Sequence, residues 1–447
     1  MSTYRVRRQG SHYDIYSNPV TRLNLVDLVN LVDRLIGTKY TWVMATGPFR
    51  NPFKPGAGHA PPYLAGREPE ITEFHKLLTQ DVILENLVLT GLRGVGKTVL
   101  LDRFKPIAIR DGWRWTSTDL SESASISEEN LATRLLTDLA VVTSTIIVSK
   151  KASVVAGFTT PTKFVNHTLS HEVLRYFYDA TPGLVADKLK FVLEFVWQHL
   201  QSEESKGIIL AYDEAQNLSD QAAKEQYPLS TLLDVFQSIQ KKQIPFMLVL
   251  TGLPTLFPKL VEARTFSERM FHVLTLTKLN PEASRKAIER PIKKHKCPVT
   301  FTAEAVDMIV EMSNGYPYFI QFICRELFDT YLQQVAAGIE QPTYSMPAIL
   351  RKLDADFFAG RWSRATDRQR ELLRLISALG HCDEEFTVQE IVDQSQASSK
   401  PFSSSHVNQM LAKLAESGLV YKNRFGKYSF AVPLLGQFIR RQGEEGS

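Results

Sequence analysis

Cysteine is scarce: Cys297, Cys324 and Cys382 are the only three in 447 residues, and no two of them stand in a C-x-x-C spacing. That argues against a disulfide scaffold and offers no zinc pattern, so a reducing compartment, the cytoplasm, is expected. Long hydrophobic runs are missing as well. The apolar stretch from Leu139 to Val148 falls far short of the ~18 residues a membrane-spanning helix needs. No apolar segment follows the basic residues of MSTYRVRRQGSHYDIY, so neither secretion nor a membrane partner is expected. Charge of one sign is also in short supply, with 52 Lys plus Arg against 48 Asp plus Glu, a net +4. That balance alone does not point to a nucleic-acid partner, so local clustering has to decide. What remains is an ordinary globular composition, 44% hydrophobic and 22% charged, in a chain long enough for about three domains of roughly 150 residues.

Residues 1–50 form an extension with a basic start at Arg5, Arg7 and Arg8, and the spacing of Leu23, Val26, Leu31 and Leu35 predicts a helix. A Pro/Gly-rich linker, NPFKPGAGHAPP, opens the main unit, expected over 51–277. Its fold class is α/β, with a mainly parallel sheet. Strands are predicted at Leu87–Thr90, Trp113–Thr118, Ile208–Tyr212, Phe246–Thr251 and Val273–Leu276, with an insertion of about 90 residues between the second and third that includes a helix over Asp187–Leu200. From Lys278 the pattern turns helical, over Pro281–Lys294, Ala303–Met312 and Tyr318–Leu332, which reads as a small lid within 278–360. A last unit spans 361–447.

The segment GLRGVGKT, Gly91 to Thr98, fits G-x4-G-K-[ST], follows a predicted strand and precedes an apolar helix pattern. In such a loop glycines let backbone N–H groups wrap a phosphate chain, and the helix N-terminus favours its charge. Phosphate-binding candidates are therefore Gly91, Arg93, Gly94, Val95, Gly96, Lys97, Thr98 and Val99, with Lys97 on the β- and γ-phosphates. The strand IILAYDE ends in two carboxylates. Asp213 with Thr98 is the candidate Mg2+ pair, and Glu214 the candidate general base that polarises water. No [NT]KxD guanine motif occurs, so ATP is the expected nucleotide.

GLRGVGKT, the strand ending in Asp213-Glu214, the next strand ending in Thr251 and the helical lid together resemble AAA+ type ATPases. The resemblance points to the branch of origin-recognition and replication-loading ATPases and STAND-like bacterial ATPases. NPFKPGAGHAPPYLAGREPEI, SERMFHVLTLTKLNPEASRKAIERP and SNGYPYFIQFICREL carry it further, from about Asn51 to the C-terminus. It implies a P-loop sheet with a lid, slow ATP hydrolysis and ATP-dependent self-association. By the same resemblance Gly66 and Arg67 would meet the adenine end, Thr251 would sense the γ-phosphate, and Arg269, with Arg264 as rival, would reach a neighbouring subunit's nucleotide. The lid departs from the AAA+ pattern, because no sensor 2 arginine is evident and Gly315 and Pro317 instead resemble the GxP motif of STAND ATPases, with Pro317 at the nucleotide. That favours a switch whose lid reports ATP or ADP.

The order after Thr366 is that of a winged helix: helices over Arg368–Leu379, Val388–Gln394 and Ser404–Ser417, then a hairpin turning at Gly426. Between Gly418 and Arg441 there are five basic residues and no acidic one. Lys422, Arg424 and Lys427 are the candidates for phosphates of double-stranded DNA. The other role such a domain can have, an internal clamp or a surface for a protein effector, stays open at this point. A basic cluster on a lid helix, Arg285, Lys286, Arg290, Lys293, Lys294 and Lys296, reads as a solvated face.

Overall fold

The computed structural model describes residues 50–56, 58–153, 163–295, 297–398, 400–424 and 426–444. The predicted N-terminal helix lies outside the described residues. Helix α1 (Glu68–Leu78) leads into strand β1 (Asn86–Gly91), and the phosphate loop then opens helix α2 (Lys97–Arg110). Strand β2 (Trp113–Asp119) begins the insertion: helix α3 (Glu128–Thr143), an antiparallel hairpin of β3 (Ile147–Ser153) and β4 (Lys163–Thr168), and helices α4 (His171–Ala180) and α5 (Val185–Leu200). Strand β5 (Gly207–Asp213), helix α6 (Pro228–Lys241), β6 (Phe246–Gly252), α7 (Leu256–Ala263), the single turn α8 (Ser267–Met270) and β7 (Phe271–Leu276) complete the unit.

The five predicted strands form one parallel sheet in the order β2-β5-β6-β1-β7. Strands β1, β5 and β6 are buried at every position, as expected of central parallel strands covered on both faces. Because the strands run the same way, the ends of β1, β5 and β6 lie side by side: Leu89 pairs with Thr251 and Tyr212 with Leu250. Two apolar layers sandwich the sheet. The larger includes helices α3 to α6, so the insertion is part of the core on that face. The smaller comes from α1 and α2, where Phe74 and Phe104 stack at 4.1 Å.

The lid consists of α9 (Pro281–Lys294), α10 (Ala303–Ser313) and α11 (Pro317–Ala336). Asn280 and Thr302 cap α9 and α10 by accepting hydrogen bonds from Ala283 and Ala305. The linker before α1 joins this lid core: Phe53 is buried among its side chains, and Asn51 donates to the Arg325 carbonyl and to Asp329. Helix α12 (Met346–Leu353), a π-turn over Asp354–Phe358 and the short α13 (Ala359–Trp362) lead to the last unit. There α14 (Asp367–Ala378), β8 (Phe386–Thr387), α15 (Val388–Ser395), α16 (Ser404–Glu416), β9 (Val420–Arg424), β10 (Lys427–Phe430) and α17 (Leu435–Glu444) share one core, with strand order β8-β10-β9. Thr366 and Thr387 each cap a helix and receive a Gln or Glu in return. No helix among the described residues is long and apolar enough to cross a membrane.

Candidate functional site

The turn from β1 into α2 is the floor of the site. Gly96 takes φ 95 with nothing within 4 Å of where a Cβ would lie, so glycine is required there by backbone conformation rather than by space. The Lys97 ammonium folds back and donates to the carbonyls of Gly91 and Leu92 at 3.0 and 3.1 Å. Burial pushes its pKa below the usual lysine value, while Asp213 and Glu214 pull it back up. The Thr98 hydroxyl donates to Asp213 at 2.5 Å, and the other Asp213 oxygen accepts from the Glu214 amide at 2.8 Å. Asp213 is only 4% exposed, and burial raises its pKa despite both bonds. These hard oxygens suit Mg2+. Among the described residues no group of three or more His, Cys, Asp or Glu could hold a metal, so phosphate and water would have to supply the other ligands. A bound magnesium ion would neutralise phosphate charge at this point.

Glu214 is exposed and has φ 50, an uncommon conformation for a non-glycine residue. Its carboxylate accepts from Gln216, whose own side-chain oxygen accepts from the Leu253 amide at 3.1 Å just beyond β6. Gln216 thus ties the candidate base to the next strand, a link the sequence reading missed. Thr251 is fully buried, and its hydroxyl has no partner among the described residues.

A cavity of about 570 Å³ lies over the loop. Its walls come from the 54–65 strap, the P-loop, Glu214, the lid residues Pro317, Tyr318 and Gln321, and from Asp356, Phe357 and Arg361 near α13. Tyr318 clips the lid to the loop by donating its amide to Gly94 at 3.1 Å.

A family model described as an AAA domain matches residues 85–260. Residues 355–439 match a second model, described as a domain of unknown function. The fold is similar to that of the Walker-type ATPase of Pyrococcus abyssi, at 16% identity and a TM-score of 0.51, with 84% of this chain and 96% of that one covered. It is also similar to the Aeropyrum pernix ORC2 protein in its ADP form, at 16% identity and a TM-score of 0.52, with 89% and 100% covered. No curated protein matches the sequence.

Of the predicted nucleotide residues, Arg67, Arg93, Gly94, Val95, Gly96, Lys97, Thr98, Val99, Glu214 and Pro317 line this cavity, whereas Gly66, Gly91, Asp213 and Thr251 lie outside its lining. Arg67, expected at the adenine end, is 5% exposed and committed within the protein. It donates to the carbonyls of Val95 and Thr277 at 3.0 and 2.8 Å and to Glu70 at 3.1 Å, which fastens the P-loop to the end of β7. At Gly66 a Cβ would lie 2.7 Å from that of Ala283, so glycine lets α9 approach.

Arg269 is remote from this cavity, in a shallow hollow with Glu73, Leu84, Glu85 and His272 at the start of β7. Its rival Arg264 is already engaged, with two bonds to Asp234 at 2.8 and 2.7 Å and one to Ser230 at 2.9 Å. In the last unit the run of five basic residues is less free than the sequence implies. Arg441 makes two bonds to Asp354, and Arg440 donates to the Ser377 carbonyl. Lys422 is exposed and Lys427 half-buried, and the side chain of Arg424 lies outside what is described. Asn423, the one base-reading candidate near them, donates to Glu385 at 2.6 Å. On the lid, Arg285 pairs with Asp307, Lys286 with Glu282 and Lys293 with Glu289, which neutralises much of that cluster; Lys296 lies outside the described residues.

Proposed function

We propose that this protein is an ATP-binding and ATP-hydrolysing switch that self-associates with ATP and engages duplex DNA through its last unit. The observation that carries the nucleotide reading is the arrangement of Lys97, Thr98 and Glu214 around one cavity, with Asp213 bonded to Thr98 just behind its wall. In this reading Lys97 and the loop amides hold the phosphates, Thr98 and Asp213 hold Mg2+, and Glu214 takes a proton from the attacking water. Thr251, buried at the end of β6 with a hydroxyl unpaired among the described residues, positions that water or reads the γ-phosphate as the site fills. Gly66 and Arg67 set the adenine end by fixing the lid and loop.

The DNA reading rests on the last unit. Helix, strand, two helices and a hairpin, with the outer side of α16 exposed at Ser404, Ser405, His406, Gln409 and Lys413, form the layout of a winged helix. Lys422, Arg424 and Lys427 on the hairpin supply phosphate contacts. One observation favours a second reading, an internal regulatory module. Asp356, Phe357 and Arg361 line the nucleotide cavity, and a Cβ on Gly418 would lie 3.3 Å from the Arg93 guanidinium.

Duplex binding measured with ATP, with ADP and without nucleotide separates the two. The DNA reading predicts ATP-dependent, salt-sensitive binding, with the log K versus log salt slope reduced in magnitude by about 2 in a Lys422→Glu, Lys427→Glu variant, at about 0.9 per lost contact. Binding that is absent with every nucleotide favours the internal module.

A further inference from the structure

We propose that Arg361, supplied by the segment that enters the last unit, binds the terminal phosphate of ATP in the same chain, so that ATP and not ADP draws this unit onto the P-loop. The proposal rests on the nucleotide reading above.

The cavity carries an excess of positive charge. Five cations, Lys54, Arg67, Arg93, Lys97 and Arg361, line it against two carboxylates, Glu214 and Asp356, and of the five Arg67 is already paired with Glu70. Arg361 is half-buried, and among the described residues its only side-chain hydrogen bond is an N–H donated to the Phe357 carbonyl at 2.5 Å, with the guanidinium 4.6 Å from the Phe357 ring centre. A guanidinium has five N–H donors, and this one has no carboxylate. Other arginines of the same unit do have one: Arg368 pairs with Glu371, Arg370 with Asp367 and Arg441 with Asp354. Arg361 shares the cavity wall with Arg93, and burial together with this like charge pushes its pKa down. Two guanidiniums on one cavity wall, neither of them in an ion pair among the described residues, form a seat for a dianionic group.

The position of Lys97 tells which phosphate that is. Its ammonium is held by the carbonyls of Gly91 and Leu92, so the end of the phosphate chain that Lys97 serves lies at the start of the loop, next to Arg93. A group between Arg93 and Arg361 is therefore at the γ end. An ADP chain stops short of it.

The pull on Arg361 has a rigid route into the unit. The π-turn before α13 carries Asp354, bonded to Arg441 of α17, and Phe358, stacked on Phe438 of α17 at 4.9 Å. Helix α17 in turn packs in the core that holds α14, α16 and the hairpin. Among the described residues the lid adds no arginine or lysine to the cavity wall, so Arg361 supplies that charge from farther along the chain.

The test uses the full chain carrying Glu214→Gln, so that ATP persists, and titrates methylanthraniloyl-ATP and methylanthraniloyl-ADP into Arg361→Ala and Arg361→Lys variants. Loss of a charge-assisted bond predicts ATP affinity roughly tenfold weaker or more in Arg361→Ala, with ADP affinity within about twofold and Arg361→Lys in between. Equal weakening of both nucleotides, or no change in either, overturns the proposal. Lys97→Ala in the same background separates the two levels. If it still binds both nucleotides like its parent, the nucleotide reading itself fails; if it loses both while Arg361→Ala keeps its ATP preference, only the role of Arg361 falls.

Discussion

Asp213 and Glu214 are neighbours in sequence with opposite surroundings, and their chemistry follows from that difference. Asp213 is enclosed and accepts from Thr98 and from the backbone, whereas Glu214 is turned out by a left-handed backbone and touches Gln216. Burial sets the sign of the pH dependence at Asp213. Its folded pKa is raised above the ordinary 3.8, so the native state keeps a proton that the unfolded state sheds in the window just above that value. Stability from this group is therefore lost as pH rises through the window and stays lost above it. Asp213→Asn should raise the Tm of nucleotide-free protein at neutral pH, by about 2 °C for each kcal/mol relieved, and remove that acidic-side decline while abolishing Mg2+-dependent nucleotide binding. Calorimetry across pH checks this, and a variant less stable at neutral pH would count against the buried-charge account. The pair was legible because an apolar strand ending in Asp-Glu after a P-loop has a local pattern. Gln216 and Arg361 were not, because each matters only through a partner that folding brings to it: the loop after β6 for one, Arg93 for the other.

Among the elements, the five strands and three lid helices were readable because their apolar periods are unbroken and their ends carry Gly, Asn, Thr or Pro. The charge run of the last unit misled in part, since a linear run does not show which cations are already paired. Arg441 belongs to the joint between α17 and the π-turn. Arg441→Ala leaves Asp354, 9% exposed, without its partner and should cost about 3 kcal/mol. The Asp354→Ala, Arg441→Ala double variant should lose less than the sum of the singles, by urea unfolding. Additive losses would mean that the pair does not hold the joint. The basic helix α9 shows the same lesson in reverse. Its charges face Glu282, Glu289 and Asp307, as a solvated surface requires.

At the scale of the molecule, Arg269 and the nucleotide cavity sit at opposite ends of the sheet. Asn86 pairs with Phe271 and Gly91 with Leu276 along the six residues of β1 and β7, so α8 lies about 17 Å of strand away from the P-loop. Arg269 is exposed and, among the described residues, its side chain makes no hydrogen bond or ion pair, which leaves it available to a second copy of the chain. Hydrolysis per chain should therefore rise with protein concentration. Arg269→Ala mixed with Glu214→Gln should regain part of the activity that each lacks, and no recovery in mixtures proven to co-assemble would exclude a shared site.

The central claim, one cavity that binds ATP through the P-loop and cleaves it through Glu214, is tested most directly by measuring ATP affinity and single-turnover hydrolysis on wild type, Lys97→Ala and Glu214→Gln. The account predicts that Lys97→Ala binds ATP roughly tenfold to a hundredfold more weakly. Glu214→Gln should bind ATP like wild type and hydrolyse it at least about a hundredfold more slowly. Hydrolysis at the wild-type rate by purified Glu214→Gln would contradict it.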